Sequence, residues 1–102
     1  MNETIKQLPK IQVESICRKH HIRRLSLFGS ALHGDNTTAS DLDLLIEFED
    51  GHTPGFAFAG IQHELSEILG QEVDLHTPTS LSKYFRNEVV REAHPLYDAS
   101  KP

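Results

Sequence analysis

The chain has 102 residues, with 10 Lys+Arg against 15 Asp+Glu and a formal net charge of −5. An apolar share of 37% is too high for a disordered chain, yet no apolar run approaches the roughly 20 residues of a membrane span. The acidic balance argues against a free-standing nucleic-acid binder, which needs Lys and Arg for its phosphate contacts. It leaves room for phosphate chemistry in which metal ions bring the positive charge.

The chain reads as one domain over residues 1–102. No charged-then-apolar segment at its start resembles a signal peptide. The single cysteine, Cys17, excludes a disulfide scaffold and suits a reducing cytoplasm. There are no repeats, and the loop signals at Gly34–Ser40, Asp50–Gly55 and Thr77–Ser80 are short.

Apolar periodicity alternates between the two regular types. Lys10 to His21 reads as a helix, with Val13, Ile16, Cys17 and His20 on one face. Ile22 to Phe28 reads as a strand with Leu25 and Leu27 on one side, stopped by Gly29. A short helical turn over Ser30 to His33 follows, stopped by Gly34. Asp41 to Glu49 is the clearest strand. Leu42, Leu44, Ile46 and Phe48 line one face; Asp41, Asp43, Leu45, Glu47 and Glu49 line the other.

Gly55 to Leu69 reads as a helix with Phe58, Ile61, Leu65, Ile68 and Leu69 buried, and Gly70 beyond its end. Glu72 to His76 is a short strand with Val73 and Leu75 inward and Asp74 opposite. Ser80 to Ala93 reads as a helix with Leu81, Tyr84, Phe85 and Val89 as its stripe. Pro95 ends it, and Leu96-Tyr97 adds a last short strand. This order predicts an α/β fold, a small mixed sheet with helices packed on one face.

Three features carry chemistry. Leu27-Phe28-Gly29-Ser30 is a strand ending in a Gly-Ser turn that opens a short helix. Glycine admits a close backbone approach, and amides at a helix start favour an anion such as a triphosphate tail. Asp41 and Asp43 lie on one strand face, about 6–7 Å apart, where like charges repel unless a cation sits between them. Mg²⁺ prefers one or two carboxylates plus substrate phosphates. Asp74 lies on a different short strand. If that strand neighbours Asp41–Glu49, three carboxylates share a face and make a two-metal phosphoryl-transfer site. Asp41 and Asp43 would then bridge both ions. Asp74 would hold the ion near the attacking hydroxyl and is the candidate to take its proton. Taken singly, each feature has a plain reading: a turn, a solvated strand face, a surface carboxylate.

Together, Gly29-Ser30, ten residues, then Asp41-Leu42-Asp43 resembles the G-S-x₁₀-D-x-D signature of the DNA-polymerase-β-like nucleotidyltransferases. The likeness runs on through Pro54-Gly55-Phe56, Glu64-Leu65 to Leu69-Gly70, Val73-Asp74-Leu75, Thr77-Pro78, Arg91-Glu92-Ala93 and Pro95-Leu96-Tyr97. These stretches resemble the minimal nucleotidyltransferases (MNT). The resemblance implies that Gly29 and Ser30 grip the nucleotide phosphates, and that Asp41, Asp43 and Asp74 bind two Mg²⁺. It also implies a partner, a HEPN-type ribonuclease toxin that the protein silences by moving AMP from ATP onto a tyrosine hydroxyl. No direct nucleic-acid contact and no membrane are expected.

The turn departs from the family. Gly-Ser-Arg-x-Arg-Gly is usual, and here it is Gly29-Ser30-Ala31-Leu32-His33-Gly34. One charge-assisted hydrogen bond to a triphosphate is worth about 1.5–3 kcal/mol. Arg86 and Lys83 are candidates to replace it. The acidic positions are intact, so the chain reads as an active enzyme. The alternative is an antitoxin that neutralises its partner by stoichiometric binding. An antibiotic-modifying enzyme is disfavoured because a second drug-holding domain has no room here.

The seven histidines match no zinc spacing. His76 stands apart, since it shares a face with Asp74 and is placed to touch a substrate. Glu47 reads as a solvated carboxylate, Arg23 and Arg24 as surface charges, Tyr84 and Phe85 as core. Cys17 has no activating base and reads as inert.

Overall fold

The computed structural model describes residues 9–29, 41–52, 55–84 and 86–99. Helix α1 (Lys10–Lys19) buries Val13, Ile16 and Cys17 and ends with Arg18 and Lys19, cations suited to a helix C-terminus. His21, in the left-handed region at φ 57°, turns the chain into strand β1 (Ile22–Phe28). Strand β2 (Leu42–Phe48) follows, then helix α2 (Ala57–Leu69), closed by Gly70 at φ 69°. Strand β3 (Val73–His76), a 3₁₀ turn (Pro78–Ser80), helix α3 (Arg86–Glu92) and strand β4 (His94–Asp98) complete the order.

The sheet order is β3-β2-β1-β4. β1 runs antiparallel to β2 and β4, while β2 and β3 are parallel, so the sheet is mixed as expected. One core cluster joins Val13, Ile16 and Cys17 of α1 and Ile61 and Leu65 of α2 to Leu25, Leu27, Leu42, Leu44, Ile46, Val73 and Leu75 of the strands. The even-numbered residues of β2 enter this core. Its odd-numbered residues therefore point to the opposite face.

Two bulges adjust the strands. Ile22 faces Phe48 while Arg24 faces Glu47, so β1 holds one extra residue there. The bulge brings Ile22 into the core with Leu25 and Leu27 despite the odd spacing. In β4, Leu25 faces Tyr97 while Ser26 faces Pro95. The extra residue lets Leu96 and Tyr97 both pack against the core. Pro95 lies within this edge strand, where a missing N–H is tolerated; it does not terminate the helix, which ends at Glu92.

The expected helix over Ser80 to Ala93 is shorter than its apolar spacing suggests. Thr77 and Ser80 form a reciprocal capping box that closes the 3₁₀ turn, and Leu81 then takes extended geometry at ψ 150°. Leu81 is buried from that extended position, and Tyr84 is 89% exposed rather than core. Phe85 and the turn over Ser30 to His33 lie outside the described residues. Among the described residues no helix is long and apolar enough to cross a membrane.

Helix α2 also completes the outer edge of β3. Ser66 Oγ accepts a hydrogen bond from the Val73 amide at 3.0 Å, and Gln62 Oε1 accepts one from the Leu75 amide at 3.3 Å. Across the helix pair, Glu64 is bonded by Lys19 and, at 2.7 Å, by His20. Lys19 foremost, then His20, holds the Glu64 carboxyl below its ordinary 4.5.

Ser66→Ala leaves the Val73 amide without its partner and should cost about 1–2 kcal/mol in urea unfolding. An unchanged midpoint would show that water replaces the hydroxyl. A depressed carboxyl pKa stabilises the fold above the unfolded value and is lost as pH falls through the folded one. The Tm gap between the native chain and Glu64→Gln should therefore narrow as pH drops below about 4.5; calorimetry showing a constant gap would contradict it.

Candidate active site

Parallel pairing of β2 with β3 sets Asp43 directly opposite Asp74. Their chain neighbours Leu42, Leu44, Val73 and Leu75 are in the core, so alternation turns both carboxylates to the other face. Asp43 is half-buried and Asp74, on the edge strand, is exposed. Phe28, the last residue of β1, lies opposite Asp43 from the other side.

Gly29 follows at φ 78°. A Cβ built there would stand 2.5 Å from Asp43 Oδ2 and 3.3 Å from its Cγ. The Asp43 carboxylate thus lies against the bare backbone of the turn. The sequence explains Gly29 by a phosphate; the structure adds a steric reason inside the protein itself.

His76 joins this group. Its Nε2 is 3.5 Å from Asp43 Oδ1, and its ring meets the Phe28 ring edge-on at 5.3 Å between centroids. Asp43, Asp74 and His76 each offer one ligand atom, and these atoms all lie within 4.8 Å of one another. The sequence placed His76 on the face of Asp74. Its closeness to Asp43 depends on the β2–β3 register, which spacing within one strand cannot give.

Asp41 stands just before β2 and is exposed. The amide of Leu42 beside it donates to Glu72 O at 2.9 Å. Asp41 is not in the group formed by Asp43, Asp74 and His76. Ser30, Ala31 and His33 lie outside the described residues. The structure thus brings Asp43 and Asp74 together, with Gly29 against Asp43, and does not include Asp41 in that group.

Glu47, expected to be solvated, is not. It pairs with Arg23 at 2.7 Å and Arg24 at 3.7 Å, and its side chain is only 16% exposed. Arg24 also reaches Asp98 at 3.5 Å. The bulge in β1 sets both arginines beside Glu47, so they are not merely surface charges. Arg86 donates to Leu81 O at 3.1 Å, and Lys83 Nζ lies 5.6 Å from the Tyr84 ring centre. Burial, with Glu14 adding to it, pushes the Cys17 thiol up to about 12, so it is a poor nucleophile.

Two adjacent carboxylates offer hard oxygen donors, the set Mg²⁺ prefers, beside space left open to solvent at the sheet edge. The donors therefore fit a divalent ion. No Lys or Arg among the described residues forms an ion pair with Asp43 or Asp74; the one ion-pair neighbour is His76, beside Asp43.

The nucleotidyltransferase domain family matches residues 10–97. The chain is 33% identical to the putative protein adenylyltransferase MJ0435 of Methanocaldococcus jannaschii, over 82% of this chain and 89% of that one. It is 31% identical to the protein adenylyltransferase MntA of Thermococcus cleftensis, over 79% of this chain and 89% of that one. A solved structure of a putative minimal nucleotidyltransferase superposes with a TM-score of 0.75 at 35% identity, covering 93% of this chain and 96% of that one. A chain from a toxin–antitoxin MntA complex superposes with a TM-score of 0.68 at 26% identity, covering 90% of this chain and 74% of that one. With that breadth of match, on the fold and carboxylate pair just described, the chain belongs to the nucleotidyltransferase family, in its minimal form.

Proposed function

We propose that this protein is an antitoxin that transfers AMP from ATP to a tyrosine hydroxyl of a cognate HEPN-type toxin and so neutralises it. The observation that carries the reading is Asp43 and Asp74 in register, against the bare backbone of Gly29. The protein adenylyltransferases among its relatives and the toxin–antitoxin complex among its structural neighbours support it.

Gly29 and Ser30 would hold the nucleotide phosphates. Asp41, Asp43 and Asp74 would hold two Mg²⁺ ions, which when bound neutralise phosphate charge and acidify the attacking hydroxyl. Asp43 is the fixed member, wedged against Gly29. Asp74 is the accessible one, on the exposed edge where an acceptor protein can approach. The tyrosine oxygen forms a bond to the α-phosphorus as the bond to pyrophosphate breaks. Asp74 would take the hydroxyl proton. The whole chain acts as one nucleotidyltransferase domain, in a hetero-oligomer with the toxin. Its setting is the cytoplasm, where ATP and the toxin are both present.

Co-expression with the cognate toxin should raise the toxin's mass in steps of one AMP, read by intact-protein mass spectrometry. Asp43→Asn should abolish those steps while leaving the circular dichroism unchanged. An unmodified yet inhibited toxin would instead support stoichiometric binding and refute transfer.

Gly29→Ala separates site from scaffold. A Cβ at positive φ should cost about 1–2 kcal/mol of stability. Displacing the Asp43 carboxylate should cost on the order of 10²-fold in transfer rate. A rate loss no larger than the fraction unfolded would argue against the close packing of Gly29 on Asp43 as a catalytic requirement.

A further inference from the structure

We infer that His76 is a nitrogen ligand in the metal site, and that it biases the site toward Mn²⁺ over Mg²⁺. The inference rests on the metal-dependent transfer reading above and names one more residue of the same site. Its first support is a distance. The 3.5 Å between His76 Nε2 and Asp43 Oδ1 exceeds the 2.7–3.2 Å of a hydrogen bond from nitrogen to oxygen. It is close to the separation of two ligand atoms on one ion. At bonds of about 2.1 Å, octahedral or tetrahedral angles set neighbouring ligands roughly 3.0–3.4 Å apart.

The second support is the state of the nitrogen. His76 is half-buried, with its side chain 33% exposed, but its Nε2 is shielded from solvent and makes no hydrogen bond among the described residues. A shielded ring nitrogen with no hydrogen bond, only the Asp43 carboxylate 3.5 Å away, loses the partner that water would have given it. A cation between it and the two carboxylates would satisfy all three groups at once, and their ligand atoms already lie within 4.8 Å of one another. The third support is rigidity. The edge-on contact with Phe28 holds the imidazole plane, and Phe28 itself faces Asp43 across β1 and β2.

The selectivity follows from ligand chemistry. Mg²⁺ favours oxygen and readily keeps water in place of an imidazole. Mn²⁺ also binds oxygen ligands but is a softer, first-row ion, so it gains more than Mg²⁺ when an imidazole replaces a water.

The test uses Mn²⁺ alone, without nucleotide, on the full chain. Pulsed electron paramagnetic resonance of bound Mn²⁺ should show ¹⁴N modulation from an imidazole. His76→Ala and His76→Gln should both lose it. Mn²⁺ affinity should fall about tenfold or more in each. Mg²⁺ affinity should change by less than about twofold, because water takes the vacated position. Absence of nitrogen modulation in the native chain, or its survival in both variants, overturns the inference. So does an equal loss of Mn²⁺ and Mg²⁺ affinity, which would make His76 a positioning residue for Asp43. Failure to modify the toxin with the nitrogen signal intact would sink only the transfer reading. Transfer supported by Mg²⁺ without any nitrogen signal would sink only this one.

Discussion

Everything at this site depends on the in-register pairing of Asp43 with Asp74 across parallel strands. Two like charges side by side oppose that pairing. Coulomb's law gives about 1 kcal/mol at 4 Å in water and about 4 kcal/mol near a protein surface. Against this stand Leu42, Leu44, Val73 and Leu75, which the same register buries. Each such side chain contributes about 1.5–3 kcal/mol on burial. A one-residue slip of either strand would expose two of them and drive a carboxylate into the core. The apolar term wins, so core and site are two faces of one register.

β3 has only four residues and one strand partner, yet it carries Asp74. Helix α2 supplies what a fifth strand would have given, through Ser66 and Gln62 on the outer amides of Val73 and Leu75. This arrangement keeps the edge free of a competing chain while leaving Asp74 open to solvent. A large acceptor such as a folded protein needs that openness. The other side of α2 reaches α1 through Glu64 and Lys19, so the edge strand is tied back to the first helix.

Strand positions were legible in the sequence because period-two alternation is local. β1 matched its expected bounds, and β2 and β3 fell within one residue of theirs. The carboxylate pair was legible for the same reason, given only that β2 and β3 are neighbours. What was hidden needs knowledge of what lies across the sheet. The bulge that lets Arg23 and Arg24 both engage Glu47 leaves no mark in the spacing of Ile22 to Phe28. The approach of His76 to Asp43 likewise comes from register, not sequence. At the C-terminal end, Leu81, Tyr84 and Val89 mimic a helical stripe. The capping box of Thr77 and Ser80 intervenes, and Leu81 is buried from an extended strand-like residue instead.

The bare charge of −5 conceals how the chain treats its half-buried acids. Glu14 has Arg18, Glu47 has Arg23 and Arg24, Glu64 has Lys19, and Asp98 has Arg24, each within 4 Å. Removing a carboxylate from water without a partner is expensive, so this pairing is what folding alone demands. Asp43 is the described half-buried carboxylate that departs from the rule. It faces a second carboxylate and an imidazole, with no Lys or Arg among the described residues paired to it. A chain that pairs its other described half-buried acids has a deficit here that a bound cation would offset. The register puts that deficit beside the turn whose glycine leaves room for it.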